Sequence, residues 1–208
     1  MDKTYNLSGA PKPASRRFAD LAGPDFYPTP SWATQALIEH EKFEGTIWEP
    51  ACGDGSMVRV LEKTGCPVIA TDLYDRGFGI VGEDFLSSDR ISDNIVTNPP
   101  FNSAEGFVKK GLSNSNRKLA LLLRLAFLEG GNRYRTIFRD HPPARTWVFS
   151  ERITFYPNSV ARKGSGTTAY AWFVWDKTST ERASLRWLPP GYKAREKVSQ
   201  DKNPDLFK

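Results

Sequence analysis

Residues 98–101 read Asn-Pro-Pro-Phe and follow the apolar run at 95–97. Two consecutive prolines fix φ and remove two amide donors, which leaves Asn98 and the Asn98 and Pro99 carbonyls as outward-facing acceptors. A rigid carboxamide beside a carbonyl is what a planar amino group with two N–H bonds would meet. Phe101 supplies a face on which a base can stack. Alone, the segment is equally a Pro-Pro turn after a strand. It has company, however. Residues 48–57 read Trp-Glu-Pro-Ala-Cys-Gly-Asp-Gly-Ser-Met, and Gly53 and Gly55 let the backbone turn tightly and approach a ligand. The phosphate-loop Gly-Lys-Ser/Thr is missing, as is the G-x-G-x-x-G spacing. Glu49 and Asp54 would repel a pyrophosphate but suit a cationic ligand. Asp72 stands nineteen residues after Gly53, where an acidic side chain accepts from two ribose hydroxyls or else merely caps a helix. Asp84, followed by Phe85, offers a contact to a base edge or a backbone amide.

Positioning these groups requires strands that end on them. The pattern predicts a helix over 31–42 with Ser31 as N-cap, a strand over 46–49, a helix over 56–64 and a strand over 67–71 ending on Asp72. A weaker strand covers 79–81, and another covers 95–97, ending on Asn98. A helix over 103–112, a strand buried on both faces over 119–125 and a helical stretch over 132–139 follow, the last stopped by Pro142 and Pro143. Segments 146–150 and 169–175 read as late strands, with Trp147, Phe149, Trp172, Phe173 and Trp175 as core. No helix is evident between them, so they suggest a hairpin on the sheet edge. Residues 1–26 read as a mobile arm, and those from Pro189 onward as irregular. Strands alternating with helices make the class α/β, with a parallel sheet covered on both faces. In such sheets ligands bind beyond the carboxyl ends of the strands, where the three clusters fall.

Composition narrows the classes further. The 208 residues suit one core domain with tails. Mean hydropathy is −0.50, and the longest apolar run, 119–128, is broken by Arg124, so a membrane span is not expected. The opening residues lack the apolar stretch of a secretory signal. With Cys52 and Cys66 as the two cysteines, neither a disulfide framework nor a cysteine-based zinc site is expected, and a cytoplasmic setting is. The net charge of +5 is unevenly spread: residues 27–116 carry −6 and residues 117–208 carry +10. Residues 117–163 alone supply +7, which suggests a polyanionic partner.

Together these residues resemble the S-adenosylmethionine-dependent amino-methyltransferases, most closely the DNA adenine-N6 methyltransferases of phage and restriction-modification type. Asn98–Phe101 matches the family's Asp/Asn/Ser-Pro-Pro-Tyr/Phe/Trp motif, and Glu49–Gly55 matches its glycine-rich cofactor motif. Its acidic ribose residue falls on Asp72, its third cofactor motif on Asp84-Phe85, and its Thr-Pro motif on Tyr27-Pro28-Thr29-Pro30. Cofactor motifs that precede the catalytic one resemble the gamma arrangement. The resemblance covers about residues 27–177. It implies a Rossmann-like class I methyltransferase fold, a seven-stranded mostly parallel sheet with an antiparallel C-terminal hairpin. The domain would span 27–188, between the arm and a tail at 189–208.

The resemblance further implies S-adenosylmethionine held by Tyr27, Thr29, Pro30, Glu49, Pro50, Ala51, Gly53, Gly55, Asp72, Leu73, Asp84, Phe85 and Asn98. Asn98, Pro99, Pro100 and Phe101 would form the catalytic group, with DNA as partner, RNA as the alternative polymer, and no metal. Sequence-reading relatives usually carry a separate target-recognition domain, for which this chain has no room. Arg133, Arg135 and the loop with Arg162 and Lys163 are therefore expected to grip the substrate, with Phe155 and Tyr156 as candidates to touch a base. Two other readings remain open: methylation of a protein glutamine, where the motif typically ends in Tyr, and a non-catalytic binder. Cytosine-C5 methylation needs a cysteine presented after a proline, whereas Cys52 follows Ala51 and Cys66 follows Gly65. His40 and His141 stand apart from the clusters.

Overall fold

A computed structural model describes residues 26–155 and 167–202. The strands are β1 (Ile47–Glu49), β2 (Val68–Asp72), β3 (Ile80–Val81), β4 (Ser92–Thr97), β5 (Ser115–Arg124), β6 (Arg145–Phe149), β7 (Tyr170–Asp176) and β8 (Ser184–Leu188). Among the described residues they form one eight-stranded sheet in the order β3-β2-β1-β4-β5-β7-β6-β8. Strands β1 to β5 pair in parallel, β7 is antiparallel to both β5 and β6, and β8 is parallel to β6. The helices are α1 (Ser31–His40), α2 (Val58–Leu61), α3 (Ala104–Asn114), α4 (Gly131–Arg133) and α5 (Tyr192–Lys202). A 3-10 turn at Glu62–Thr64 extends α2, and a π turn at Tyr134–Phe138 extends α4.

Period-two alternation divides the central strands between two cores. Leu119, Leu121 and Leu123 of β5 join Phe107 and Val108 of α3, whereas Ala120 and Leu122 face the other way, among Ala33, Ala36 and Leu37 of α1. β7 divides likewise, Trp172 and Val174 to one side and Phe173 and Trp175 to the other. The indole N–H groups find acceptors despite burial: Trp172 donates to the Ala33 carbonyl at 2.9 Å, Trp175 to the His141 carbonyl at 2.8 Å and Trp48 to Thr71 Oγ1 at 2.9 Å. The aromatic late strands are core, as their composition suggested.

Four expectations are corrected. The sheet has eight strands rather than seven, and the β6–β7 pair does not form its edge. β7 inserts between β5 and β6, and β8 takes the edge, bonded to β6 from Arg145↔Ser184 to Phe149↔Leu188. The region beyond Pro189 is not irregular, because Tyr192–Lys202 is helical and α5 packs on α1. Nor is Ser31 an N-cap. Pro30 holds that place without a side-chain bond, and Glu196 of α5 accepts from the Ser31 hydroxyl and, at 3.1 Å, from the Trp32 amide. A carboxylate from another helix thus satisfies a donor that a local cap would otherwise take. No helix among the described residues is long and apolar enough to cross a membrane.

Candidate active site

Strand order reverses between β1 and β4, and a crevice opens beyond the carboxyl ends of strands at such a switch point. A cavity of about 380 Å³ lies there. Its walls come from the turn after β1, the end of β2, the Asp84–Leu86 segment, the turn after β4 and the approach to α1. Residues far apart in sequence meet because every βα turn in this half of the sheet emerges on the same side.

The turn after β1 is held from inside. The Cys52 amide donates to the Thr71 carbonyl at 3.0 Å, and the Gly53 amide donates to Asp72 Oδ2 at 2.8 Å. Gly53 and Gly55 have φ of +56° and +78°, the left-handed region that side chains resist. A Cβ on Gly53 would strike the Phe26 ring, and one on Gly55 the Phe78 ring. Asp72 accepts at both oxygens, the second from the Tyr74 amide at 2.8 Å, and it still lines the cavity. Each oxygen keeps a lone pair for a further donor. Asp84 is occupied locally, accepting from the Leu86 amide at 3.0 Å and the Ser87 hydroxyl at 3.1 Å. Phe85 is buried between Trp48 and Phe107, with ring centroids at 5.2 and 4.7 Å.

Glu49 closes β1 at 1% exposure. Its Oε1 accepts from the Ala51 amide at 3.1 Å, while Oε2 is buried with no hydrogen-bond partner among the described residues. Burial pushes its carboxyl up to about 8; the Asp72 charge adds to this, and the Ala51 amide opposes it. At neutral pH the ligand-free protein therefore keeps this carboxyl protonated, and a cation bound beside it favours the ionised form. Burial, together with the charges of Glu49 and Asp72, also pushes the Cys52 thiol up to about 12. Cys52 is therefore a packed, inert thiol rather than a nucleophile.

The turn after β4 presents Asn98. Its Nδ2 donates to Thr29 Oγ1 at 3.0 Å, and Thr29 is itself buried. With the amino end held on Thr29, Oδ1 is left buried with no hydrogen-bond partner among the described residues. The Pro100 carbonyl accepts from the Ser103 amide at 2.9 Å, winding 101–103 into a 3-10 turn. Phe101 therefore stands at the rim among Tyr27, Phe155 and Tyr170, with centroid separations of 5.9, 6.2 and 6.1 Å. The guanidinium of Arg124 lies over the Phe101 ring at 4.3 Å.

Of the residues expected to hold a cofactor, Tyr27, Thr29, Glu49, Pro50, Ala51, Gly53, Asp72, Leu73, Asp84, Phe85 and Asn98 line this cavity. Pro30 and Gly55 do not line it. Asn98, Pro99, Pro100 and Phe101 line it together.

The residues expected to grip a substrate fare differently. Arg133 turns inward, donating to the carbonyls of Ala126, Phe127 and Glu129 at 3.1, 3.0 and 2.6 Å and to Glu105 at 3.1 Å. It ties the end of β5 to α4 and leaves little for a phosphate. Arg135 is exposed but lines a separate groove with Tyr134, Pro142 and Leu185. Phe155 does reach the Phe101 rim, while Tyr156, Arg162 and Lys163 lie outside the described residues. Phe26, Arg76 and Arg124 carried no sequence signal. Arg76 lies over the Phe26 ring at 4.4 Å beside the cavity, and an isolated arginine does not announce the ring it will meet.

No protein-family model matches the sequence, and no curated protein does. Solved structures do match it. A type I restriction-modification methyltransferase subunit from Streptococcus thermophilus superposes with a TM-score of 0.60 at 12% identity, over 87% of this chain and 54% of that one. A modification subunit of a putative type I restriction enzyme from Vibrio vulnificus gives 0.58 at 14%, over 91% and 55%. A putative RNA methyltransferase from Pyrococcus horikoshii gives 0.55 at 15%, over 75% and 88%. The chain thus spans about half the length of the two restriction-modification subunits. At these identities the likeness is one of fold. The chain has the Rossmann-like methyltransferase fold, built on a mixed eight-stranded sheet.

Proposed function

We propose that this chain transfers a methyl group from S-adenosylmethionine to the exocyclic N6 of adenine in DNA. The observation that carries the proposal is the state of Asn98: its amino end is held by Thr29, and its Oδ1 is buried, without a partner among the described residues, in the cavity that Phe101 also lines. The cofactor fits the cavity on two grounds. An orphaned carboxylate oxygen of Glu49 suits a cationic ligand, and Asp72 retains lone pairs for ribose hydroxyls. Bound there, S-adenosylmethionine supplies an electrophilic methyl on sulfur.

The residues of the chain do the rest. The adenine amino nitrogen is a poor nucleophile because its lone pair is delocalised into the ring. Hydrogen bonds from its two N–H groups to Asn98 Oδ1 and the Pro99 carbonyl favour a pyramidal nitrogen. They also stabilise the positive charge that grows as the N–C bond forms and the C–S bond breaks. Phe101 stacks on a base taken out of the duplex. The proton leaves afterwards, to water, so no strong base is required. The +10 charge of residues 117–208 suits a polyanion and weighs against a free glutamine side chain as acceptor.

The test is transfer of labelled methyl to duplex DNA, single-stranded DNA, RNA and a peptide pool, with product identified after digestion. N6-methyladenine in DNA that disappears in Asn98→Ala is the expected result. Label confined to RNA or peptide overturns the choice of substrate, and no label despite cofactor binding overturns the enzyme.

A further inference from the structure

The reacting group faces the cavity, but the rim of Phe101 is occupied by a residue outside the expected set. Arg124 is the last residue of β5, and its Cα partner in β7 is Tyr170. Alternation sends it to the same side as Ala120 and Leu122, towards the α1 core. Leu122 is fully buried, yet Arg124, the next residue on that side and the end of the strand, is exposed. Its guanidinium carbon stands 4.3 Å from the Phe101 centroid, and the same group lies beside the Tyr170 phenol. Tyr27, Phe155 and Tyr170 meet Phe101 obliquely or edge-on, none closer than 5.9 Å. Among the described residues, then, Arg124 is the group laid on the Phe101 face, and its partners are that ring and the Tyr170 hydroxyl rather than a carboxylate.

A guanidinium is planar, delocalised and about as thick as a nucleobase, and it stacks on the same aromatic faces. A base and Arg124 cannot share one face of Phe101. Displaced from the ring, an exposed arginine on a rigid strand end has one obvious anionic target in a nucleic acid: the phosphate beside the base that displaced it. We propose that Arg124 covers the Phe101 face in the free protein and exchanges that ring for a backbone phosphate of the target nucleotide when adenine stacks there. The inference rests on the proposed DNA adenine activity and adds a residue that selects a nucleotide in a strand over a free base. The exchange also keeps an apolar ring covered while no substrate is bound.

The test uses the full chain and a mixed-sequence, adenine-containing DNA duplex. Wild-type transfer to this DNA is measured first, and its absence refutes the function without reaching Arg124. Given transfer, Arg124→Ala should raise KM for DNA about tenfold and reduce the slope of log KM against log salt by about one, as for one lost phosphate contact. Arg124→Lys should keep the slope, because an ammonium still meets phosphate, and should keep the fold if alanine disturbs it. Cofactor affinity serves as the check on folding. In the wild type, nuclear magnetic resonance should find the Arg124 δ protons shifted upfield by the Phe101 ring and returned downfield when DNA and S-adenosylhomocysteine are added together. An unchanged salt slope in Arg124→Ala, or an upfield shift that survives saturating DNA, overturns the proposal.

Discussion

The carboxamide of Asn98 has two ends, and only one of them can do chemistry. Thr29 decides which, by accepting from Nδ2 at 3.0 Å. Thr29→Val removes the acceptor while keeping the shape, so the amide gains freedom to turn its nitrogen towards the cavity. The expected cost is a fall in kcat of about tenfold, the worth of roughly one hydrogen bond, with Thr29→Ser restoring it. Single-turnover transfer measures this directly, and equal rates in the valine variant would remove Thr29 from the positioning of Asn98.

Glu49 gives a second prediction at this scale. Its ordinary value is 4.5, but burial raises it to about 8 in the folded chain. Between those values the native state holds a proton the unfolded chain has lost, so this group's contribution to stability falls as pH rises through the interval. The groups facing it, Asp72, Thr97 and the Ala51 amide, remain in Glu49→Gln, which lacks the titration itself. The stability of Glu49→Gln relative to wild type should therefore increase from pH 5 towards pH 8 in urea unfolding of the ligand-free protein. A difference that is flat with pH would place the native titration elsewhere.

Among the elements, the face of the sheet opposite to the cavity's rim shows why some of the fold was legible and some was not. Helix α1 and strands β4, β5 and β7 announce themselves because burial imposes an apolar pattern of the right period. β8 carries the alternation Ser184, Leu185, Arg186, Trp187, but Leu185 and Trp187 are the exposed pair. A strand whose apolar side faces water gives the pattern of a loop with stray hydrophobics. α5 is polar but for a few positions, and what docks it is Tyr192, buried and 3.0 Å from His40 of α1, together with Glu196 at the head of α1, a contact between residues 165 positions apart. Arg133 shows a related effect: a cation in a basic stretch looks like a grip until the carbonyls that absorb it are known. The cavity was legible because each of its chemical groups sits at a strand end, and Arg124 was not because it entered only as a break in an apolar run.

The same scale holds an ionic cluster that ties α1 to the late strands. Glu41 accepts from Arg145 Nη2 at 2.9 Å, from Trp147 Nε1 at 2.8 Å and from Lys118 at 2.9 Å, and Arg145 also pairs with Asp176. Burial would raise both carboxyls, but these donors win. Glu41 is held below its ordinary range, and Asp176 is brought down to about 2 by Arg145 and Thr178. Stability from depressed carboxyls is present above their unfolded values and is lost as pH falls towards the folded ones. The wild type should lose stability as pH falls from 3.8 towards about 2. Arg145→Ala leaves Lys118, at 2.9 Å from Glu41 and 3.5 Å from Asp176, as the cation serving two buried carboxylates, and should cost about 3 kcal/mol at neutral pH, with a shallower acid limb. Urea midpoints across pH test both, and a loss below 1 kcal/mol would mean that water enters the cluster freely.

For the whole molecule, charge is divided along the chain much as the chemistry is. Residues 27–116, which supply most of the cavity wall, carry −6, and residues 117–208 carry +10. The two ligands of the proposed reaction should therefore respond differently to salt. A cation in an enclosed cavity, beside a carboxyl with 1% exposure that ionises on binding, is shielded from mobile ions, and its attraction is screened little. Binding of DNA on an open basic surface releases condensed counterions and weakens steeply, by several powers of ten for six or more phosphates. Raising salt from about 50 mM to about 200 mM should leave the Kd of S-adenosylmethionine within about twofold, while that of DNA rises by two orders or more. Calorimetry on one protein preparation gives both numbers. Parallel losses would mean that the cofactor sits at the surface rather than behind Glu49. A DNA affinity indifferent to salt would mean that the basic half of the chain is solvated surface, and the choice of a nucleic acid over a peptide acceptor would lose its main physical support.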